Sequence, residues 1–304
     1  MKKLLCLCLL LLLFVGCVPQ EEPDQGYTFT DDLGREVTVT SCERTAALLG
    51  SYADIWHLAG GTVCASADDA WDEFELPLGD AVNLGNTKDL SLESLLLSQP
   101  DFIIASTNTP QHVQWRETLE QAGFTVAYFD VSEFSDYLRV LKLCTELTGH
   151  SERYVEYGEV LQKQIAEILD RCKGKRTQTV LVMRVSAASI RAKNSDGTVL
   201  GTMLRDLGCI NIADSDASLL ENLSVESILL QNPDKIFFIQ TGDDMQTVEE
   251  NVQAMLHENP LWQELDAVKN GEVYFMEKRL FNLKPNARWA EAYWELENIL
   301  YETQ

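Results

Sequence analysis

Two short stretches gather positive charge in a chain that is otherwise acidic: Arg184, Arg191 and Lys193 in one, Lys278, Arg279, Lys284 and Arg288 in the other. The whole sequence carries 24 Lys and Arg against 48 Asp and Glu, a formal net charge of -24. Guanidinium forks match the oxygens of carboxylates and phosphates, so these stretches suit an anionic small ligand, although each side chain could instead pair with a local acid. Tyr52 and Trp71 offer flat faces for a chelate or macrocycle, with a core role as the alternative. Ser51, Asp69 and Asn108 stand in neighbouring loop segments and extend the candidate lining. The acidity argues against nucleic acid, whose backbone calls for clustered positive charge. Catalytic signatures are lacking: there is no GxSxG, HExxH, GxGxxG or P-loop pattern. His57, His112, His150 and His257 have no mutual spacing, so no resident metal or other cofactor is expected. His57, inside Ile55-Trp56-His57-Leu58, reads as a packed helical residue.

Such residues must be held by something, and the pattern around them is that of alternating helices and strands. Tyr27 and Phe29, then Val37 and Val39, alternate with polar residues about the turn Asp31-Asp32-Leu33-Gly34-Arg35, which predicts a hairpin. Ala53 to Ala59 reads as a helix and Val63 to Ala65 as a strand. The segment Leu90 to Ile104 returns 133 positions later as Leu223 to Phe237, with nine of fifteen positions identical. Each copy predicts a short helix capped by Ser91 or Ser224, with Glu93 or Glu226 in its first turn. Pro100 or Pro233 ends that helix, and a buried strand follows. So long a spacing marks a duplicated lobe rather than a solenoid. Between the copies, Ser151 to Cys172 contains no proline and carries an apolar stripe at helical spacing, interrupted by Gly158. A helix of that length spans about 33 Å and could join two lobes. The fold expected is therefore α/β, two Rossmann-like lobes with mainly parallel sheets joined by one long connector helix. The divisions are a first lobe over 27–150, a connector over 151–173 and a second lobe over 174–304. Ligands of such lobes gather beyond the carboxyl ends of the strands, where the candidate residues above fall.

The amino terminus reads as an address. Lys2 and Lys3 precede an apolar run from Leu4 to Val15, too short to span a bilayer comfortably. Phe14-Val15-Gly16-Cys17 resembles a bacterial lipobox, which implies a signal peptide over 1–16, lipidation of Cys17 and a polar tether over 17–26. Apart from Cys6, Cys8 and Cys17, the cysteines Cys42, Cys64, Cys144, Cys172 and Cys209 are odd in number and form no CxxC pair. Buried free thiols are the expected state.

With the hairpin, both repeat copies, the connector and the closing Asn282-Leu283-Lys284-Pro285-Asn286-Ala287-Arg288-Trp289 in view, the mature chain resembles the periplasmic-type binding proteins for iron complexes and vitamin B12. The resemblance implies a monomeric, lipid-anchored, extracytoplasmic substrate-binding protein of an ABC importer (a class III periplasmic-binding-protein-like fold). It would capture a ferric siderophore, haem or cobalamin and hand it to a permease dimer with its ATPase. By position, it also implies that Glu93 and Glu226 dock on permease arginines. Haem would want an axial ligand, for which Tyr52 and His57 are the candidates near the cleft. A ferric siderophore needs only a basic and aromatic cleft and fits best. The rival readings are a chelatase-like enzyme, separable by turnover assay, and a non-transport surface lipoprotein, separable by ligand-dependent thermal shift.

Overall fold

Four of the longer strands are buried along almost their whole length, as strands covered on both faces must be, and they belong to two sheets. The computed structural model describes residues 26–221, 223–241 and 245–301; Cys17 and the leader lie outside them. In the first lobe, β3 (Thr45–Ala47), β4 (Val63–Ser66), β5 (Val82–Asn83), β6 (Phe102–Ser106) and β7 (Thr125–Phe129) form a parallel sheet of order β5-β4-β3-β6-β7. Ahead of it, β1 (Tyr27–Thr30) and β2 (Glu36–Val39) make the antiparallel hairpin, with Tyr27 opposite Val39. In the second lobe, β8 (Thr179–Ser186), β10 (Ile210–Asn211), β11 (Lys235–Gln240) and β12 (Val273–Met276) run parallel in the order β10-β8-β11-β12. There β9 (Ser189–Lys193) folds back antiparallel on β8.

The duplicated segments fold alike. The helices Leu92–Leu97 and Val225–Gln231 begin at Ser91 and Ser224, whose hydroxyls accept hydrogen bonds from the backbone N–H of Ser94 and Ser227. Both end through a residue at positive φ before the proline, Gln99 at 47° and Asn232 at 41°. The aspartate after each proline has a structural use. Asp101 accepts from the backbone N–H of Glu43 and Arg44 just ahead of β3, and Asp234 from that of Thr179 at the start of β8.

The connector is helical from Glu152 to Cys172, but one turn, Val155–Glu159, is a π-helix. Gly158 is buried in that turn, and a Cβ there would stand 3.0 Å from the Tyr154 ring. The wider turn presents the Tyr157 carbonyl to the buried Tyr137 hydroxyl at 2.9 Å. Leu161, Ile165 and Ile168 of the connector then pack into an apolar core shared by the two lobes. Trp289 joins that core from the carboxyl-terminal helix Trp289–Tyr301, 5.7 Å from Phe134 between ring centroids.

Polar contacts cross the same junction. Asp54 of the first lobe, nearly buried, pairs with Arg279 at 3.1 Å and accepts from the Asn286 amide at 2.9 Å. Asn286 also donates to the Ser51 carbonyl, and Thr202 donates to that of Ser132. Burial pushes the Asp54 carboxyl up, and Asn286 and Arg279 pull it back. All five cysteines from Cys42 onward are free; Cys144, Cys172 and Cys209 are buried.

Candidate ligand-binding cleft

A cavity of about 660 Å³ opens between the lobes, a volume suited to a small-molecule ligand. Its walls come from the residues at and just beyond the carboxyl ends of parallel strands. Leu49 and Ser51 follow β3, Asp68 and Asp69 follow β4, and Asn86 to Lys88 follow β5. Across the gap, Arg184 lies two residues before the end of β8, Thr241 follows β11, and Lys278 and Lys284 follow β12.

The first wall is acidic. Its helix Gly50–Leu58 begins without a side-chain cap of its own, because Leu49 stands at the cap position. Asp69 supplies one from a distance, accepting the Gly50 N–H at 2.8 Å. Only glycine fits there, since a Cβ would come within 2.6 Å of the Ala70 nitrogen. Burial, partly offset by the Gly50 hydrogen bond, lifts the Asp69 carboxyl to about 6. Asp68 and Glu73 raise it further and Lys284 opposes them.

The opposite wall is cationic, with Arg184, Lys278 and Lys284 in the lining; Arg191 and Lys193, expected there from the sequence, stand beside it on the hairpin and are not among the described lining residues. Arg184 and Arg191 face each other across the β8–β9 ladder. Lys193, two residues along β9, shares their side of the hairpin, because side chains alternate along a strand. Among the described residues none of the three has an ion-pair partner, and the buried Arg184 Nε has no hydrogen-bond partner. Burial lowers the pKa of Arg184, and burial with repulsion from Arg184 and Arg191 lowers that of Lys193. Lys284 lies 5.1 Å above the Tyr52 ring, lowered by burial against the pull of Asp130 and Asp69. Lys278 reaches across the gap to form an ion pair with Glu73.

Several sequence candidates fall elsewhere. Tyr52 is 1% exposed and donates to the Phe129 carbonyl at 2.6 Å, so it supports the cleft from beneath rather than facing a ligand. Trp71 packs against the shared core. Arg279 is committed to Asp54 and the Lys284 carbonyl, and its guanidinium stacks 3.8 Å from the Phe74 ring centroid. Arg288 lies on a groove between the connector and the last helix, where Glu291 takes two of its hydrogen bonds and Glu277 a third. Asn108 donates to Asp130 and lines a shallower neighbouring pocket beside Lys88. His57, expected to be packed, is exposed, because the buried side of its helix is taken by Tyr52, Ile55 and Trp56. His112 is the packed histidine: its Nδ1 accepts the Ser106 N–H, and burial lowers it to about 4. Sequence reasoning missed Lys88 and Thr241. Lys88 follows a strand of two residues, too brief to leave a pattern, and Thr241 left no signal.

Two α/β lobes, a helix joining them and a polar cavity along their facing strand ends define a two-lobed binding protein. The family model described as "Periplasmic binding protein" matches residues 46–280, and the chain belongs to that family. The "Iron-uptake system-binding protein" of Bacillus subtilis (strain 168) is 28% identical over 195 residues, covering 62% of this chain and 59% of that protein. The match thus spans less than two thirds of that relative's length. The "Fe(3+)-citrate-binding protein YfmC" of the same organism is 24% identical over 264 residues, covering 84% of this chain and 79% of that one. The crystal structure of an ABC transporter substrate-binding protein from Listeria monocytogenes EGD-e superposes with a TM-score of 0.71 at 18% identity. It covers 86% of this chain and 99% of that chain and corroborates the fold.

Asp69 yields a stability signature with a definite sign. Its folded-state pKa of about 6 lies above the ordinary aspartate value of 3.8, so keeping it ionised near neutral pH costs on the order of 3 kcal/mol. That cost falls away between about pH 6 and pH 4, as the folded carboxyl takes up its proton. Asp69→Asn keeps an oxygen for the Gly50 N–H. It should therefore be more stable than the wild type at pH 7.5, with the gap closing by pH 4. Urea unfolding of both proteins across that range checks this; a gap independent of pH would contradict it.

Proposed function

We propose that this chain is the ligand-capturing lipoprotein of an ABC importer and that its cargo is an anionic ferric chelate of the siderophore or citrate type. The observation that carries the reading is the cluster Arg184, Arg191 and Lys193. Three cations on one face of a hairpin, without a counter-ion among the described residues of a chain of net charge -24, repel one another until an anion arrives. The acidic wall of Asp68, Asp69 and Asp72 favours a ligand whose other side carries hydroxyl or amine donors. Among the described lining residues there is no His, Tyr, Met or Cys, which favours a chelate with its metal already saturated over haem. The relatives named for iron uptake and for ferric citrate support the same cargo class. Binding and release suffice for this role, and no catalytic step is invoked.

Tryptophan-fluorescence titration against ferric citrate, a hydroxycarboxylate ferric siderophore, haemin and cyanocobalamin should show saturable binding of a ferric chelate. Arg184→Ala should weaken that binding by about 10- to 100-fold, through loss of a charge-assisted contact. Arg288→Ala, whose partners are local acids, should bind as the wild type does. Binding of haemin or cobalamin in place of the chelates, or full affinity in Arg184→Ala, would overturn the cargo assignment.

Delivery is assigned to Glu93 and Glu226, both exposed, at matching places on the two repeat helices. Among the described residues neither is in an ion pair, and Glu226 accepts only the Ser224 hydroxyl at 3.2 Å. Glu93→Arg combined with Glu226→Arg should abolish cellular uptake while leaving ligand affinity within about twofold, because like charges then oppose each other at both docking points. Normal uptake by that double variant would remove the docking role.

The anchor is assigned to Cys17 on the strength of the lipobox-like Phe14-Val15-Gly16-Cys17. Intact-mass analysis of protein from membranes should find Cys17 as the acylated first residue; an unmodified terminus elsewhere would refute it.

A further inference from the structure

The two repeat helices share an exposed side chain that folding does not account for. Leu97 is 76% exposed and Leu230 89%, and the two occupy the same place in the duplicated segment. The neighbouring apolar positions of both helices are used internally. Leu95 and Ile228 are fully buried, while Leu96 and Leu229 pack against the cores of their own lobes. One exposed leucine is unremarkable on a protein surface. Two at equivalent positions are a different matter, because the serine caps and aspartate clamps hold both helices in the same way. Each leucine also follows its glutamate, Glu93 or Glu226, by four residues, which puts the pair on one helix face a turn apart.

We propose that Leu97 and Leu230 are twin apolar anchors for the permease, each entering an apolar pocket beside a cation that meets the adjacent glutamate. The inference rests on the docking reading above and adds its non-ionic half. A partner with twofold symmetry presents two equivalent pockets, and the duplicated lobes present two equivalent plugs. Charge complementarity excludes the other occupants. A second copy of this chain would bring net negative charge against the same glutamates, and an anionic lipid surface would repel them. Buried apolar anchors ringed by polar contacts carry most of the energy of such interfaces. Salt screens the glutamate contacts but leaves the leucine contacts in place.

The test uses the full-length chain in source cells lacking their own copy of the gene. The photo-crosslinker p-benzoylphenylalanine replaces Leu97 or Leu230, or, as a control, Val160 of the connector, which is 47% exposed. After irradiation, both leucine positions should give adducts with the same polytopic ABC permease subunit, at roughly tenfold or more above the Val160 control. Adducts with a soluble protein, with lipid or with a second copy of this chain, or yields at the control level, would overturn the assignment. Separately, Leu97→Ser with Leu230→Ser should lower accumulation of iron-55 supplied as ferric citrate by about tenfold or more. Ligand affinity and melting temperature should not change. The Glu93→Arg, Glu226→Arg chain is measured alongside. Normal import by that chain means the docking reading fails. If it is blocked while the serine pair imports normally, the leucine assignment fails alone.

Discussion

The cleft depends on a buried carboxylate that belongs to one lobe and is satisfied by the other. Asp54 sits in the first lobe, and its partners Arg279 and Asn286 come from the segment that closes the second. A carboxylate in such a position is costly to leave unpaired, so the two lobes hold a fixed relation wherever the pair is intact. The same residues set the cavity floor. Asn286 ties down the Ser51 carbonyl, and Arg279 holds the Lys284 carbonyl, which brings the Lys284 amine over the Tyr52 ring. Arg279 therefore shapes the ligand site without being available to the ligand.

Around this junction the charges are distributed unevenly. About half of the described Lys and Arg side chains are in ion pairs, as Arg288 with Glu291 and Lys235 with Glu272. The β8–β9 hairpin gathers three that are not, Arg184, Arg191 and Lys193, at the expense of their mutual repulsion. Across the cavity from Arg184, burial raises the Asp69 carboxyl to about 6. The cavity thus has an acidic side from the first lobe and a cationic side from the second.

What could be read from the sequence was what the chain encodes locally. The repeat helices were legible because a serine, a glutamate and a proline at fixed offsets each act within a few residues, and the hairpin because its alternation is strict. The start of the helix Gly50–Leu58 was placed three residues late, since its cap is Asp69, supplied from nineteen positions downstream. The π-helical turn had one local sign, Gly158, but the tyrosine hydroxyl that uses the turn comes from another helix. Arg288 was misassigned for a related reason. Charge in a loop is visible in the sequence, whereas the direction the loop turns it is decided by Glu291 and Glu277. The unpartnered leucines could not be told from core leucines, because Leu96 and Leu97 differ only in which way the helix faces.

The buried thiols bear on the proposed ferric cargo. Thiolates reduce ferric iron and bind the ferrous product, whereas protonated thiols do so poorly. Burial pushes Cys209 up to about 12 and Cys144 higher still, so both stay protonated at any physiological pH. Neither they nor the half-buried Cys42 and Cys64 line the cavity. A ferric chelate of the proposed kind would therefore meet no thiolate among the described lining residues of the cleft.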